Sequence, residues 1–273
     1  KMLNLAPSQP GHLTVYGIND VADALPVKPD SLSIAGEEIK GLTLAVLPES
    51  GANEADGVLG LDVLARYFVV LDRGAMRLKL LAPGPASAKP YEDWAQVQLT
   101  ARALKKFPIS FWYLSTRFNE HRFTALFDLG AGITMMNWGA AEELGLHKSA
   151  FSRLAPDELQ DVLGKRSPAV RLLNLEVYLP GKTWNRQLAI VADAPVFDYF
   201  DLDGRPAVIM GPGLLRNFAG HRFCRRQALP GSIAGRADKK KGRLTPPFSF
   251  SCVAGQLDWR RRNAGISNCS SRL

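Results

Sequence analysis

The chain has 273 residues, 46% hydrophobic and 22% charged, with 24 Gly and 18 Pro. This is globular composition, which excludes a wholly disordered, collagenous or helical-membrane protein, and the length suits one large domain or two of roughly 100–150 residues. The net charge of +8 comes from one end: residues 221–273 carry 12 Lys/Arg against 2 Asp/Glu, leaving 22 against 24 elsewhere. A mildly acidic body therefore precedes a basic tail. The three cysteines, Cys224, Cys252 and Cys269, also lie in that tail, with spacings that match no zinc knuckle or CxxC site. No apolar run approaches the ~18–20 residues of a membrane-spanning helix, so no membrane span is expected.

Residues 13–81 read as strands. Apolar runs at 13–16, 31–35 and 42–47 end at Gly17, the Gly36–Glu37 turn and Pro48. The stretch GVLGLDVLARYFVVL (57–71) enters Gly60, predicts a short helical turn over 62–65, and resumes as strand at Tyr67. Residues 83–90, rich in Pro, Gly and Ser, have linker chemistry. Beyond them, 109–114 and 123–127 predict strands around a polar turn at Asn119–Glu120. FDLGAGITMMN follows, and 138–146 predicts a short helix closed by Gly145. Residues 172–179 and 187–191 read as strands around Pro180–Gly181, and AVIMGPGLLRNF (207–218) closes the patterned part.

Three blocks recur in order. SLSIAG matches NLEVYLPG, LTLAVLPE matches QLAIVADA, and the run into Gly60 matches the run into Gly211. That order predicts a duplication. The expected organisation is a partial first unit (1–82), a linker (83–94), a second unit (95–220), and a tail (221–273) read as disordered or aberrant, without strand alternation.

Asp128 is the leading chemical candidate. It follows the apolar strand 123–127 and precedes Gly130 and Ala131. Such a turn lets backbone amides donate to a strand-end carboxylate. Other chemistries lack their patterns. No GxSxG, HExxH or Walker sequence occurs, and Gly130-Ala131-Gly132 and Gly211-Pro212-Gly213 lack the third glycine of a dinucleotide site. His12, His121, His147 and His221 are scattered. Asp198, Asp201 and Asp203 read as a solvated loop without EF-hand spacing, so no metal ligand is assigned. The basic runs 239–241 and 260–262 do not by themselves argue for nucleic acid.

The apolar strand, Asp128-Leu129-Gly130-Ala131, the helix-like AAEELGL and the later Ile209-Met210-Gly211 together resemble the retropepsin-like aspartic protease family, over roughly residues 13–220. In the first unit, Val58-Leu59-Gly60-Leu61-Asp62-Val63-Leu64 resembles the family's second element. The resemblance implies a mostly β protein of two retropepsin-like β-barrel units in tandem, the first incomplete. It implies an aspartic endopeptidase with Asp128 catalytic and Gly130 and Ala131 binding substrate. Two carboxylates would share one proton, the ionised one activating water and the protonated one polarising the scissile carbonyl. No metal or organic cofactor is implied; the partners are a peptide or protein substrate and, alternatively, a second copy of the chain. Leu129 departs from the family's Thr or Ser, whose hydroxyl braces the two active-site loops. That substitution keeps open an inactive peptide-binding or dimerisation protein. Carrying the second unit's spacing into the first places the companion Asp upstream of Lys1.

Overall fold

The computed structural model describes residues 13–34, 36–47, 57–72, 77–91, 95–104, 110–151, 157–161, 163–179, 182–211, 218–226, 229–237 and 256–257. Strands β1 (Leu13–Tyr16) and β2 (Val21–Val27) form a hairpin, β3 (Leu32–Ile34) and β4 (Glu37–Ile39) form another, and β5 (Leu44–Val46) returns onto β2. Gly36 turns the second hairpin at φ +86°, a region that penalises any Cβ. Next come β6 (Leu59–Gly60), helix α1 (Leu61–Leu64), β7 (Phe68–Asp72) and β8 (Arg77–Leu81). Helix α2 (Pro85–Ala88) then occupies part of the expected linker, with Pro85 in the first turn, where its missing N–H costs nothing.

β9 (Ala95–Gln98), β10 (Thr100–Ala103), β11 (Ser110–Phe118), β12 (His121–Phe127) and β13 (Thr134–Met136) lead to α3 (Trp138–Glu143) and α4 (Lys148–Phe151). β14 (Asp157–Gln160), β15 (Arg166–Leu179), β16 (Lys182–Val191), α5 (Val196–Tyr199) and β17 (Val208–Met210) follow. The last described strands are β18 (Phe218–Arg226), β19 (Leu229–Ala237) and β20 (Gln256–Leu257).

The fold is mostly β, around a closed barrel. β11, β12, β17, β13, β16 and β15 are hydrogen-bonded in that order, and β15 returns to β11 through Arg117↔Tyr178 and Phe118↔Val177. The closing seam is reinforced. Thr116 Oγ1 donates to the Tyr178 carbonyl (2.9 Å), Asn119 N–H to the Glu176 carbonyl (2.7 Å), and Glu176 N–H to Asn119 Oδ1 (3.0 Å). Asn119 turns at φ +49°, which Asn tolerates better than most residues.

Inside the barrel, β17 is inserted between β12, which it parallels, and β13, which it opposes. Its three residues are fully buried because the two sheet faces serve different cores. Val208 and Met210 pack with Phe123, Phe127 and Met136, and Ile209 with Leu126, Met135 and Phe197. A strand buried on both faces reads as an unbroken apolar run, as this one does.

A separate five-stranded sheet runs in the order β8-β7-β18-β19-β9. Residues 221–226 and 229–237 are thus paired strands, which differs from the reading of 221–273 as unpatterned tail. Backbone pairing with β7 and β9 supplies that order, and side-chain alternation does not report it. β2, inside the strand-rich stretch 13–81, and β14 have no apolar run of their own in the sequence reading. β2 holds Asp23 and Pro26, which weaken a strand signal, yet it is the central strand between β1 and β5. Pro180, Gly181, Gly213, Cys252, Cys269 and the basic runs 239–241 and 260–262 lie outside the described residues. No described helix is long and apolar enough to cross a membrane.

The β1–β2 hairpin is fastened to the barrel at its turn. Buried Asp161, 4% exposed, accepts at Oδ2 from Asn19 N–H (3.0 Å) and at Oδ1 from the N–H groups of Leu163 (2.9 Å) and Lys165 (2.8 Å). The Asn19 amide donates to the carbonyls of Leu159 and Lys165, both at 2.9 Å, while its Oδ1 accepts from Ser167 Oγ (2.7 Å). Apolar burial is reciprocal: Ile18 enters the barrel-side core with Leu159 and Phe197, and Leu163 packs with Val15 and Ala24.

Asp161→Ala strips an acceptor from three backbone N–H groups in one step and should cost about 2–4 kcal/mol in denaturant unfolding. Asn19→Ala, which spares the Asp161 turn itself, should cost about 1–2 kcal/mol.

Candidate active site

Asp128 is the first residue after β12. Its backbone N–H donates to the Met210 carbonyl (3.0 Å), which fixes the end of β12 to the end of β17. The side chain is 7% exposed, and Oδ1 accepts from Gly130 N–H at 2.7 Å. This is the strand-end carboxylate expected from the spacing, with one backbone donor on its oxygen. Ala131 N–H reaches the Asp128 carbonyl at 3.4 Å, a long contact that closes the turn. Asp128, Gly130 and Ala131 therefore lie together on one tight turn. Gly130 and Ala131 are buried there, and Ala131 belongs to the same apolar cluster as Ile18 and Ile209.

Leu129 is partly buried and packs against the larger core cluster. Its side chain is an apolar anchor for the turn and has no hydroxyl to offer across to another loop.

Two further residues shape the turn. Gly211 follows β17 directly beneath it. A Cβ on Gly211 would stand 2.5 Å from the Ala131 carbonyl oxygen and 3.0 Å from that of Ile133. Only glycine permits this approach, which explains why the apolar run 207–210 ends where it does. Gly211 N–H donates to Thr134 Oγ1 at 3.3 Å, and Thr134 is 2% exposed. Sequence reasoning picked out Gly211 as part of a motif but not its contact with the turn. It passed over Thr134, since a threonine entering a strand is ordinary β-branched composition.

The turn's own side chains are apolar, with Leu129 packed on one core cluster and Ala131 in the other. Tyr113, paired with Leu126 in the β11–β12 ladder, is buried, and that burial raises its phenol pKa; Arg102, stacked over the ring at 4.9 Å, and Arg205 oppose the rise. A polar groove of about 510 Å³ lined by Asn137, Gly139, Glu142, Glu143 and Arg205 opens elsewhere. It adjoins the end of β13 and the start of β17, away from Asp128. Among the described residues no three His, Cys, Asp or Glu side chains gather as a metal-binding group. Asp201 and Asp203 lie on exposed turns, as the loop reading expected, whereas Asp198, also exposed, lies in helix α5.

No protein-family model matches this sequence, and no curated protein matches it. Among solved structures, the crystal structure of a retropepsin-like aspartic protease from Rickettsia conorii is similar to 54% of this chain and 94% of that one, at 19% identity and a TM-score of 0.35.

Gly211→Ala places a methyl group against backbone that cannot yield cheaply. It should destabilise the chain by about 1–3 kcal/mol and shift the Gly130 amide resonance, read by thermal unfolding and by amide spectra.

A pH titration checks the Tyr113 environment. A phenol whose pKa is raised in the folded state retains its proton above the ordinary tyrosine value, so the native state binds more protons there and stability falls as pH rises past that value. Tyr113→Phe should flatten that loss in unfolding curves measured at alkaline pH.

Proposed function

We propose that this chain is an aspartic endopeptidase built from two retropepsin-like units, with Asp128 as its catalytic carboxylate and the backbone of Gly130 and Ala131 facing the substrate. The observation that carries this reading is the buried Asp128 carboxylate at a barrel-strand end, 2.7 Å from the Gly130 amide and fastened to β17. In the proposed reaction, an ionised carboxylate takes a proton from water as the water attacks the peptide carbonyl. A protonated carboxyl donates to the carbonyl oxygen, and collapse of the tetrahedral species expels the amine. The pair needs a second carboxylate, which another copy of the chain would supply.

The tandem arrangement is supported by recurring strand order. A hairpin (β1–β2, β14–β15) precedes a strand that returns to pair with it (β5, β16), then a strand entering glycine (β6, β17), then a terminal pair (β7–β8, β18–β19). In the five-stranded sheet the two terminal pairs lie side by side through β7 and β18, which suits two units related by an approximate two-fold axis.

A second reading is a non-catalytic peptide-binding or dimerisation protein. Leu129 favours it, because the position that would carry a bracing hydroxyl is committed to the core.

Purified protein assayed at acidic pH against denatured protein decides between the two. Asp128→Asn should abolish cleavage while leaving the unfolding midpoint nearly unchanged, and unaltered cleavage would remove Asp128 from the mechanism. Leu129→Thr should raise the rate. A rate growing with the square of protein concentration selects pairing of two copies, and strict proportionality selects a pair completed within one chain.

A further inference from the structure

Four polar side chains among the described residues are buried: Thr116, Asp128, Thr134 and Asp161. Thr116 serves the barrel seam, Asp161 serves the hairpin joint, and Asp128 is the proposed catalytic group. Thr134 has no part in any of these, and it lies six residues after Asp128, where the turn re-enters the sheet as β13.

Beyond the ladders that β12 and β13 make with β17, two hydrogen bonds hold the turn between Asp128 and Thr134, both to the end of β17. At its start the Asp128 N–H is bonded to the Met210 carbonyl (3.0 Å). At its finish Thr134 Oγ1 accepts from Gly211 N–H (3.3 Å). Between these points the chain passes so close to Gly211 that no side chain fits beneath it. The first tie is backbone to backbone and survives most substitutions. The second depends on one hydroxyl. Without it, the Gly211 N–H loses its acceptor in a buried place, and the far end of the turn is held to β17 only from Met135↔Ile209 onward, by the β13 ladder.

We infer that Thr134 is a positioning residue for Asp128. Its hydroxyl holds the carboxylate-bearing turn against Gly211 and supplies, from within this barrel, the bracing that Leu129 lacks. The inference rests on the proposed role of Asp128 for its catalytic consequence, though not for the structural one. Thr134 itself touches no reacting atom.

The test uses the full chain with Thr134→Val, which keeps shape and β-branching but removes the acceptor, and Thr134→Ser, which restores it. Asp128→Asn serves as the activity control. The decisive readout is hydrogen exchange at the Gly130 amide, which donates to Asp128 Oδ1 and lies at the far side of the turn from Thr134. It should quicken about three- to tenfold in Thr134→Val, the range for losing one such bond, and return to the parental rate in Thr134→Ser.

Against peptide substrate, Thr134→Val should lower kcat about ten- to a hundredfold with KM little changed, the signature of a misaligned reacting group, and Thr134→Ser should recover most of it. Parental Gly130 exchange in a folded Thr134→Val overturns the inference, even if its unfolding midpoint drops. Should Thr134→Val prove unfolded, Thr134→Ser decides alone: a hydroxyl-dependent role requires it to retain parental exchange, and quickened exchange there overturns the role. If the parent shows no cleavage that Asp128→Asn abolishes, the peptidase reading fails while the Gly130 measurement still judges Thr134.

Discussion

The architecture depends on β17 lying between β12 and β13. These two strands are consecutive in the chain, so the turn joining them must arch over the end of whatever strand separates them. A three-residue strand inserted there has no exposed edge and both faces covered, and so must be wholly apolar, as Val208-Ile209-Met210 is. The arch must clear its end with no space for a side chain, hence Gly211. The carboxylate sits on that arch. Its location at the strand end follows from the strand insertion, and the Gly211–Thr134 bond ties the arch down on its far side.

Burial of polar groups is confined and complete in this region. Thr116 and Asp161 find backbone partners, as does Asp128 through Gly130, and Thr134 receives the Gly211 amide. An unsatisfied buried donor or acceptor costs about 1–3 kcal/mol, and at least one such penalty is avoided at each of these sites. The same bonds hold turns in place that apolar packing alone leaves free to slide. Two of them act on the Asp128 arch. A third joins the hairpins carrying Asn19 and Asp161, bringing residues 142 positions apart into one hydrogen-bonded corner.

That corner matters because the β1–β2 hairpin has little core of its own. Val15 and Ala24 pack chiefly with Leu163 from the other hairpin, and Ile18 inserts beside Leu159 and Phe197. Each turn thus completes the other's apolar cover. Gly17 marks how close the two come: a Cβ there would stand 2.5 Å from the Asp161 carboxylate. The N-terminal strands are integrated with the barrel through this contact.

Local signals in the sequence determined the strand-rich character, the turn at Asn119, the helix near residues 138–143, the apolar run into Gly211, and the strand-end location of Asp128. Each is written in neighbouring residues as alternation, an apolar run or a turn former, which fold locally by their own preferences. Tertiary structure alone decided that β17 enters between β12 and β13, that Thr134 meets Gly211 across 77 positions, and that Asp161 receives Asn19. It also decided that β2, despite Pro26, is a central strand, and that β18 and β19 pair with β7 and β9. These outcomes depend on backbone groups and on single polar atoms meeting over long loops. A threonine, an aspartate or an unpatterned strand has the same composition whether or not its partner arrives, so the identity of the partner is not contained in any local window.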